Sequence, residues 1–248
     1  MRFAWIPVVA ILLACSARAG EPEEAEGASY GDPTRFEKDV KRFEEADAKA
    51  RPPEGAIVCT GSSSMKGWHG TIKEDLAPLT VIPRGFGGSN MNDLLHFADR
   101  LVIAYKPRAV VVYEGDNDIK SGIAPEKIAV TFKAFVEKVH AALPGTRIYV
   151  LSIKPSPSRW ALWKNMRAAN ALIKAQCEAD RLLTYIDVSA GMLDESGQPR
   201  NDIFQSDKLH MVRKGYEIWR DAVRPVLVAA EEKHERKADA PPAEPDGG

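Results

Sequence analysis

The chain has 248 residues, with 34 Lys and Arg against 35 Asp and Glu, a formal net charge of −1. That balance argues against a nucleic-acid binder, which needs a basic surface to neutralise phosphates. With 44% apolar and 28% charged residues the composition is that of a soluble globular protein, and 18 Gly, 17 Pro and three Cys exclude collagen-like, disulfide-scaffold and wholly disordered chains.

Residues 1–19 read as an export signal. Arg2 gives a short positive start, residues 3–14 are almost unbroken apolar, and Ala17-Arg18-Ala19 places small residues around a cleavage point. Twelve apolar residues fall short of the ~20 needed to cross a bilayer core, so no membrane span is expected. Leu12-Leu13-Ala14-Cys15 also loosely resembles a bacterial lipobox; in that reading Cys15 is lipidated and anchors the chain. Either way the protein leaves the cytoplasm, for the periplasm or the medium. Residues 20–34 are Glu-rich without apolar periodicity, a flexible acidic leader, and residues 231–248 alternate charge, Ala and Pro as a solvated tail. Residues 35–230 are left as one folded domain.

Within that span a first helix carries Phe36, Val40 and Phe43 and stops before Pro52-Pro53. Short apolar runs at residues 56–59, 80–82, 109–113, 147–153 and 182–188 are continuous rather than alternating, as strands covered on both faces should be. Helical stripes lie between them. Met91, Leu94, Leu95, Ala98, Leu101 and Val102 form one; Ile128, Phe132, Phe135, Val136 and Val139 form the next, opened by Pro125. Trp163, Met166, Asn170, Ile173 and Cys177 form a third, and Ile218, Trp219, Ala222, Val223 and Val226 close the chain, with a kink expected at Pro225. Strands separated by crossover helices predict an α/β fold, a three-layer α/β/α arrangement around a five-stranded parallel sheet. Cys59 falls in a strand and Cys177 in a helix; export permits a bridge between them, but two buried thiols are the commoner outcome. No C-x-x-C or H-E-x-x-H spacing is present, and neither metal nor cofactor is implied.

Ligands of open parallel sheets bind beyond the carboxyl ends of the strands. The first three strands run into Gly61-Ser62-Ser63-Ser64, Gly85-Phe86-Gly87-Gly88-Ser89-Asn90 and Gly115-Asp116-Asn117-Asp118, and beyond the fifth lies Asp207-Lys208-Leu209-His210. Singly, each is an ordinary turn, cap or ion pair. The second is no phosphate loop, lacking the Gly-Lys-Ser/Thr ending and the G-x-G-x-x-G spacing. Together they supply what acyl transfer requires: a hydroxyl, a base, a carboxylate to orient it and donors for an oxyanion.

These four blocks resemble the SGNH hydrolases, also called GDSL esterases and lipases, over about residues 56–228. The resemblance implies a flavodoxin-like sheet. It makes Ser63 the nucleophile, Gly88 and Asn117 oxyanion donors beside the Ser63 N–H, and Asp207 and His210 the remaining triad members. The family's Asp before the nucleophile is Ser62 here, which leaves the bracing of the nucleophile turn open, and Ser62 and Ser64 flank Ser63. If the last block is helical, Asp207 lies one turn from His210. Of the other histidines, His69, His96 and His140 have no such neighbour at a strand end, and His234 belongs to the tail.

Substrate-binding candidates come from residues 154–163, where Arg159, Trp160 and Trp163 wall a pocket or stack on a sugar ring, unless Trp163 is core and Trp160 half-buried. No lid-length apolar insertion separates the blocks, which speaks against a lipase of long-chain fat. The expected activity is hydrolysis of a short acyl ester, such as acetyl on a carbohydrate or small molecule. Lysophospholipid or thioester cleavage is the alternative within the enzyme class, and a non-catalytic glycan-binding module of the envelope is the rival outside it.

Overall fold

The computed structural model describes residues 1 and 28–235. Residues 2–19 of the export signal, Cys15 among them, residues 20–27 of the leader and residues 236–248 of the tail lie outside the described residues. Strands β1 (Ile57–Gly61), β2 (Val81–Gly85), β3 (Ala109–Tyr113), β4 (Arg147–Leu151) and β5 (Leu183–Ile186) pair in parallel in the order β2-β1-β3-β4-β5. The order reverses between β1 and β3, which makes their carboxyl ends the topological switch point of the sheet. Pro83 is accommodated because β2 is an edge strand and needs one ladder side only.

The strand ends differ from expectation by a few residues. β4 stops at Leu151 because Asn170 captures the backbone of Ile153: Ile153 N–H donates to Asn170 Oδ1 at 2.8 Å and Asn170 Nδ2 donates to Ile153 O at 3.0 Å. β5 stops at Ile186 because Ser152 Oγ accepts the N–H groups of Val188 and Ser189 in place of a ladder.

Helices α1 (Glu37–Lys49), α2 (Ser63–Trp68), α3 (Ile72–Asp75), α4 (Met91–His96), α5 (Ala98–Leu101), α6 (Asp116–Lys120), α7 (Pro125–Ala142), α8 (Trp163–Ala179) and α9 (Arg213–Glu231) complete the described chain. Buried side chains of α1, α4, α5, α7 and α8 pack with Val110 and Val112 on one face of the sheet; those of α2, α3 and α9 pack with Val111 and Tyr113 on the other. Burial on both faces explains the continuous apolar runs. The stripe over residues 91–102 splits at Phe97, which leaves helical geometry and buries its ring edge-on against Phe86. α9 instead runs unbroken through Pro225, whose exposed position leaves the orphaned carbonyl one turn earlier to water. Cys59 and Cys177 are buried free thiols in opposite layers, with the sheet between them.

Both domain edges extend further than the sequence predicts. In the leader, Tyr30 donates its hydroxyl to Asp118 at 2.9 Å and Pro33–Phe36 forms a 3₁₀ turn. At the other end Glu231, read as the first tail residue, is fully buried and accepts from Arg147 at 2.5 and 2.7 Å and from Tyr149 at 2.6 Å. Charge-rich sequence conceals such a role, because a buried carboxylate that also accepts from Arg108 at 3.3 Å looks like any surface Glu. Glu231→Ala is expected to destabilise the fold by about 3 kcal/mol, as breaking a buried ion pair does. Denaturant unfolding measures it, and a change below about 0.5 kcal/mol would remove Glu231 from the core network.

Candidate active site

Strand register sets the site. Gly61 of β1 is level with Gly85 of β2 and Tyr113 of β3, so the chain leaves three neighbouring strands at one height. Ser63 comes two residues after its strand, Gly88 three and Asn117 four. Gly61 has φ +137°, and a Cβ there would lie 2.1 Å from Tyr113 O, so only glycine passes this close to β3. Ser62 N–H donates to the same Tyr113 oxygen at 3.1 Å, which braces the turn without the family's Asp.

The three serines are distinguished by where they point. Ser62 and Ser64 are each 2% exposed, whereas Ser63 is half-buried and its Oγ lies 2.9 Å from His210 Nε2. The other imidazole nitrogen, Nδ1, is 2.6 Å from Asp207 Oδ2. Residues 207–210 are not helical. Asp207 Oδ1 accepts the N–H groups of Leu209 at 2.9 Å and His210 at 3.0 Å, and Lys208 is left-handed with φ +58°. This side-chain-closed turn, rather than a helical period, brings Asp207 beside His210. The hydrogen bond from His210, then those from the two backbone N–H groups, holds the Asp207 carboxyl down at about 2, so it is ionised near neutral pH.

Three candidate donors lie in the segments that leave β1, β2 and β3 at one height. The Ser63 N–H opens α2 and has no intrahelical acceptor. Gly88 has φ +87°, a left-handed conformation suited to glycine, and the glycine before it comes close to Ser63: a Cβ on Gly87 would lie 3.9 Å from Ser63 Cβ. Asn117 Nδ2 spends one hydrogen on Ser89 O at 2.8 Å, while its Oδ1 accepts from Arg159 at 3.0 Å. The second Nδ2 hydrogen has no partner among the described residues.

The loop carrying Gly88 rests on buried carboxyl groups that the sequence did not reveal. Asp118 accepts from Met91 N at 3.1 Å, Gly115 N at 3.1 Å and the Tyr30 hydroxyl, tying α6 to the start of α4; burial above all raises its carboxyl to about 6. Asp93 caps α4 together with Asn90 and pairs with Arg35 at 2.5 Å. Glu114, fully buried, has its carboxyl pushed well above the ordinary value by burial first and by the Asp118 charge second. The Ser89 hydroxyl is shared between two acceptors, Glu114 Oε1 at 2.6 Å and Phe86 O at 3.0 Å. The Gly115-Asp116-Asn117-Asp118 motif was the available signal, but only the fold shows that Asp118 faces the neighbouring loop.

The remaining histidines are structural or exposed. His69 Nε2 accepts the Gly85 N–H at 2.9 Å, and burial, reinforced by Arg84 and Lys66, pushes its imidazole down to about 4. His140 Nε2 meets Thr146 O at 2.9 Å, and His96 is exposed. Because the folded value for His69 lies below the ordinary 6.5, the unfolded chain binds a proton that the native state refuses. Its contribution to stability is whole above about pH 6.5 and is lost as pH falls toward 4. The Tm advantage of the wild type over His69→Gln is therefore expected to shrink between pH 7 and pH 4.5; a constant difference contradicts this assignment.

Of the substrate-binding candidates, Trp160 and Trp163 stack at 6.0 Å with planes 20° apart and wall a groove of about 660 Å³ that also meets Tyr185, Asp187 and Ser189. Trp163 is buried and Trp160 half-buried. Arg159 turns away from that groove to Asp116 and Asn117. Among the described residues no group of three or more His, Cys, Asp or Glu could hold a metal ion, and no helix is long and apolar enough to cross a membrane.

A hydroxyl on an imidazole whose far nitrogen meets an ionised carboxylate, set beside free N–H donors at the switch point of a parallel sheet, is the constellation of a serine hydrolase. Comparison with known proteins narrows the class. Residues 53–218 match the GDSL-like Lipase/Acylhydrolase family, and the chain belongs to it as a carboxylic ester hydrolase of the GDSL/SGNH type. Among solved structures it is similar to a GDSL-like lipase from Bacteroides thetaiotaomicron, with 21% identity and a TM-score of 0.68 over 77% of this chain and 98% of that one. A lipase/acylhydrolase from Enterococcus faecalis shares 18% identity at a TM-score of 0.59, over 75% of this chain and 100% of that one. An acetylxylan esterase from Geobacillus stearothermophilus shares 14% identity at 0.55, over 68% and 93% respectively. At these identities the likeness is one of fold. No curated protein matches the sequence.

Proposed function

We propose that the protein is an exported serine esterase that removes short acyl groups, such as acetyl, from a carbohydrate or small molecule, using Ser63, His210 and Asp207. The observation that carries this reading is the 2.9 Å separation between Ser63 Oγ and His210 Nε2. Serine is a weak nucleophile near neutral pH and needs a base within hydrogen-bond reach. His210 Nε2 takes the Ser63 proton as Oγ bonds to the acyl carbon and the carbonyl π pair moves onto oxygen. Asp207 fixes the tautomer that leaves Nε2 free to accept and stabilises the imidazolium that results. The N–H groups of Ser63 and Gly88 and the Asn117 amide receive the oxyanion. His210 then returns the proton to the departing alcohol, and water, deprotonated by the same imidazole, releases the acid and restores Ser63.

A bulky leaving group is suggested by the groove at Trp160, on the segment that also bonds to the Asp207–His210 turn through Ser158. The groove is far larger than an acetyl group and combines flat indoles with Asp187, Ser189 and Tyr185. Such a mixture suits a sugar, whose rings offer an apolar face and a hydroxyl rim. Acetyl on a polysaccharide is also the chemistry for which one fold neighbour is named. Export rests on Arg2, the apolar run and Ala17-Arg18-Ala19. The test is a panel of esters of one leaving group with acyl chains from acetyl to octanoyl, compared with acetylated oligosaccharides. Highest kcat/KM on acetyl is expected; a rate that climbs with chain length would overturn the short-acyl reading and favour lipid esters.

A further inference from the structure

The Ser63 site leaves one neighbouring cluster unused. Behind Asn117 three charged groups are packed out of water: Lys154 is 0% exposed at its side chain, Asp116 5% and Arg159 11%. Lys154 Nζ lies 3.2 Å from Asp116 Oδ2, and Arg159 Nη1 lies 2.6 Å from Asp116 Oδ1. The Tyr113 hydroxyl donates to Asp116 Oδ2 at 3.3 Å, and Lys154 Nζ sits 5.8 Å from the Phe204 ring centre. Two cations therefore share a single carboxylate, and the cluster carries an uncompensated positive charge. Although burial alone would raise the Asp116 carboxyl, the charges of Lys154 and Arg159 hold it below the usual range. From this cluster Arg159 reaches the Ser63 site: its Nη2 donates to Asn117 Oδ1 at 3.0 Å.

We propose that Arg159, backed by Asp116 and Lys154, is a positioning residue for the oxyanion hole: it locks and polarises the Asn117 carboxamide so that Nδ2 faces the acyl oxygen. This inference rests on the Ser63 reading above. A carboxamide can flip by 180°, which exchanges its oxygen and nitrogen. With Oδ1 pinned to the guanidinium and one Nδ2 hydrogen on Ser89 O, a flip would set Arg159 against an NH2 group and Ser89 O against an oxygen. The remaining Nδ2 hydrogen is then held in one direction. A cation on the amide oxygen also draws electron density from Nδ2 and strengthens it as a donor when the oxyanion forms. The same segment reaches the acid–base turn, because Ser158 N–H donates to Lys208 O at 3.0 Å, between Asp207 and His210.

The experiment compares full-length wild type with Arg159→Met, Arg159→Lys and Arg159→Ala on a neutral aryl acetate. A second measurement is the affinity of each for a boronic acid, which forms an anionic tetrahedral adduct on the serine. Removing a whole oxyanion donor typically costs about 10²–10³ in rate. Loss of the brace alone is expected to lower kcat about ten- to a hundredfold in Arg159→Met, with KM nearly unchanged and boronate affinity reduced in proportion. Arg159→Lys, which keeps the charge but not the fork, falls between, and added guanidinium at non-denaturing concentration partly restores Arg159→Ala. Wild-type kcat in Arg159→Met overturns the proposal. So does a rise in KM alone, which marks a substrate contact, or a loss of kcat that tracks loss of folded protein and is not rescued. Ser63→Ala, run in parallel, separates the two readings: if it too is active, the site itself is misassigned.

Discussion

Ser63→Ala is expected to lower kcat by about 10⁴–10⁶, since removing the nucleophile of a coupled triad costs about as much as removing the whole triad. The variant should fold as the wild type does, because its Oγ makes a single hydrogen bond, to His210, on the half-buried mouth of the site. Ser64→Ala is the matched control. Its side chain is 2% exposed in the packed interior of α2, and the bond that α9 makes there uses the Ser64 backbone, with Tyr216 donating to its carbonyl at 3.1 Å. Substitution at position 64 therefore leaves the Ser63–His210 pair intact and should leave turnover close to wild type. An organophosphate should label Ser63 covalently in the wild type and fail to label Ser63→Ala, which mass spectrometry of the digested protein reads directly. Activity lost at Ser64 and kept at Ser63 would shift the nucleophile by one residue.

Asn117→Ala carries the second large effect, a fall of about 10²–10³ in kcat with KM little altered. In the proposed oxyanion hole the amide meets the oxygen as charge develops there, so its removal should weaken the transition state more than substrate binding. Asn117→Asp tests the same point more sharply. It keeps the shape and the oxygen that meets Arg159 but replaces the donating amide with a second acceptor, and the oxyanion would face a like charge. It should therefore be at least as impaired as the alanine variant while thermal stability holds. Turnover in Asn117→Asp near the wild-type rate would take Asn117 out of the hole and leave the oxyanion to the backbone of Ser63 and Gly88.

Much of the architecture was legible before any coordinates because the sheet is covered on both faces. Ile57, Val58 and Cys59, or Val110, Val111 and Val112, read as unbroken apolar runs, and the helices between them show the period of a single buried stripe. The order strand, helix, strand then leaves few topologies. The candidate groups Ser63, Gly88, Asn117, Asp207 and His210 were also named from the sequence, since each lies in a short polar block beyond a strand. Chain order cannot tell which of three consecutive serines faces a histidine 147 positions away; that depends on the turn at Gly61 and on the burial of Ser62 and Ser64.

By itself the sequence determined the composition of each layer and the kinds of group gathered at one edge of the sheet, because periodicity and strand-end position are local properties. Only the tertiary structure decided what the charged residues do. Arg159 read as a substrate contact and is turned inward to Asn117; Glu231 read as tail and is buried against Arg147 and Tyr149; Tyr30 read as leader and holds Asp118. A charged or phenolic side chain has no periodic signature, and whether it meets water, substrate or a buried partner depends on residues distant in the chain. The pairing of Asp207 with His210 obeys the same rule, since a turn closed by the Asp207 side chain, and not a helical repeat, sets their 2.6 Å contact.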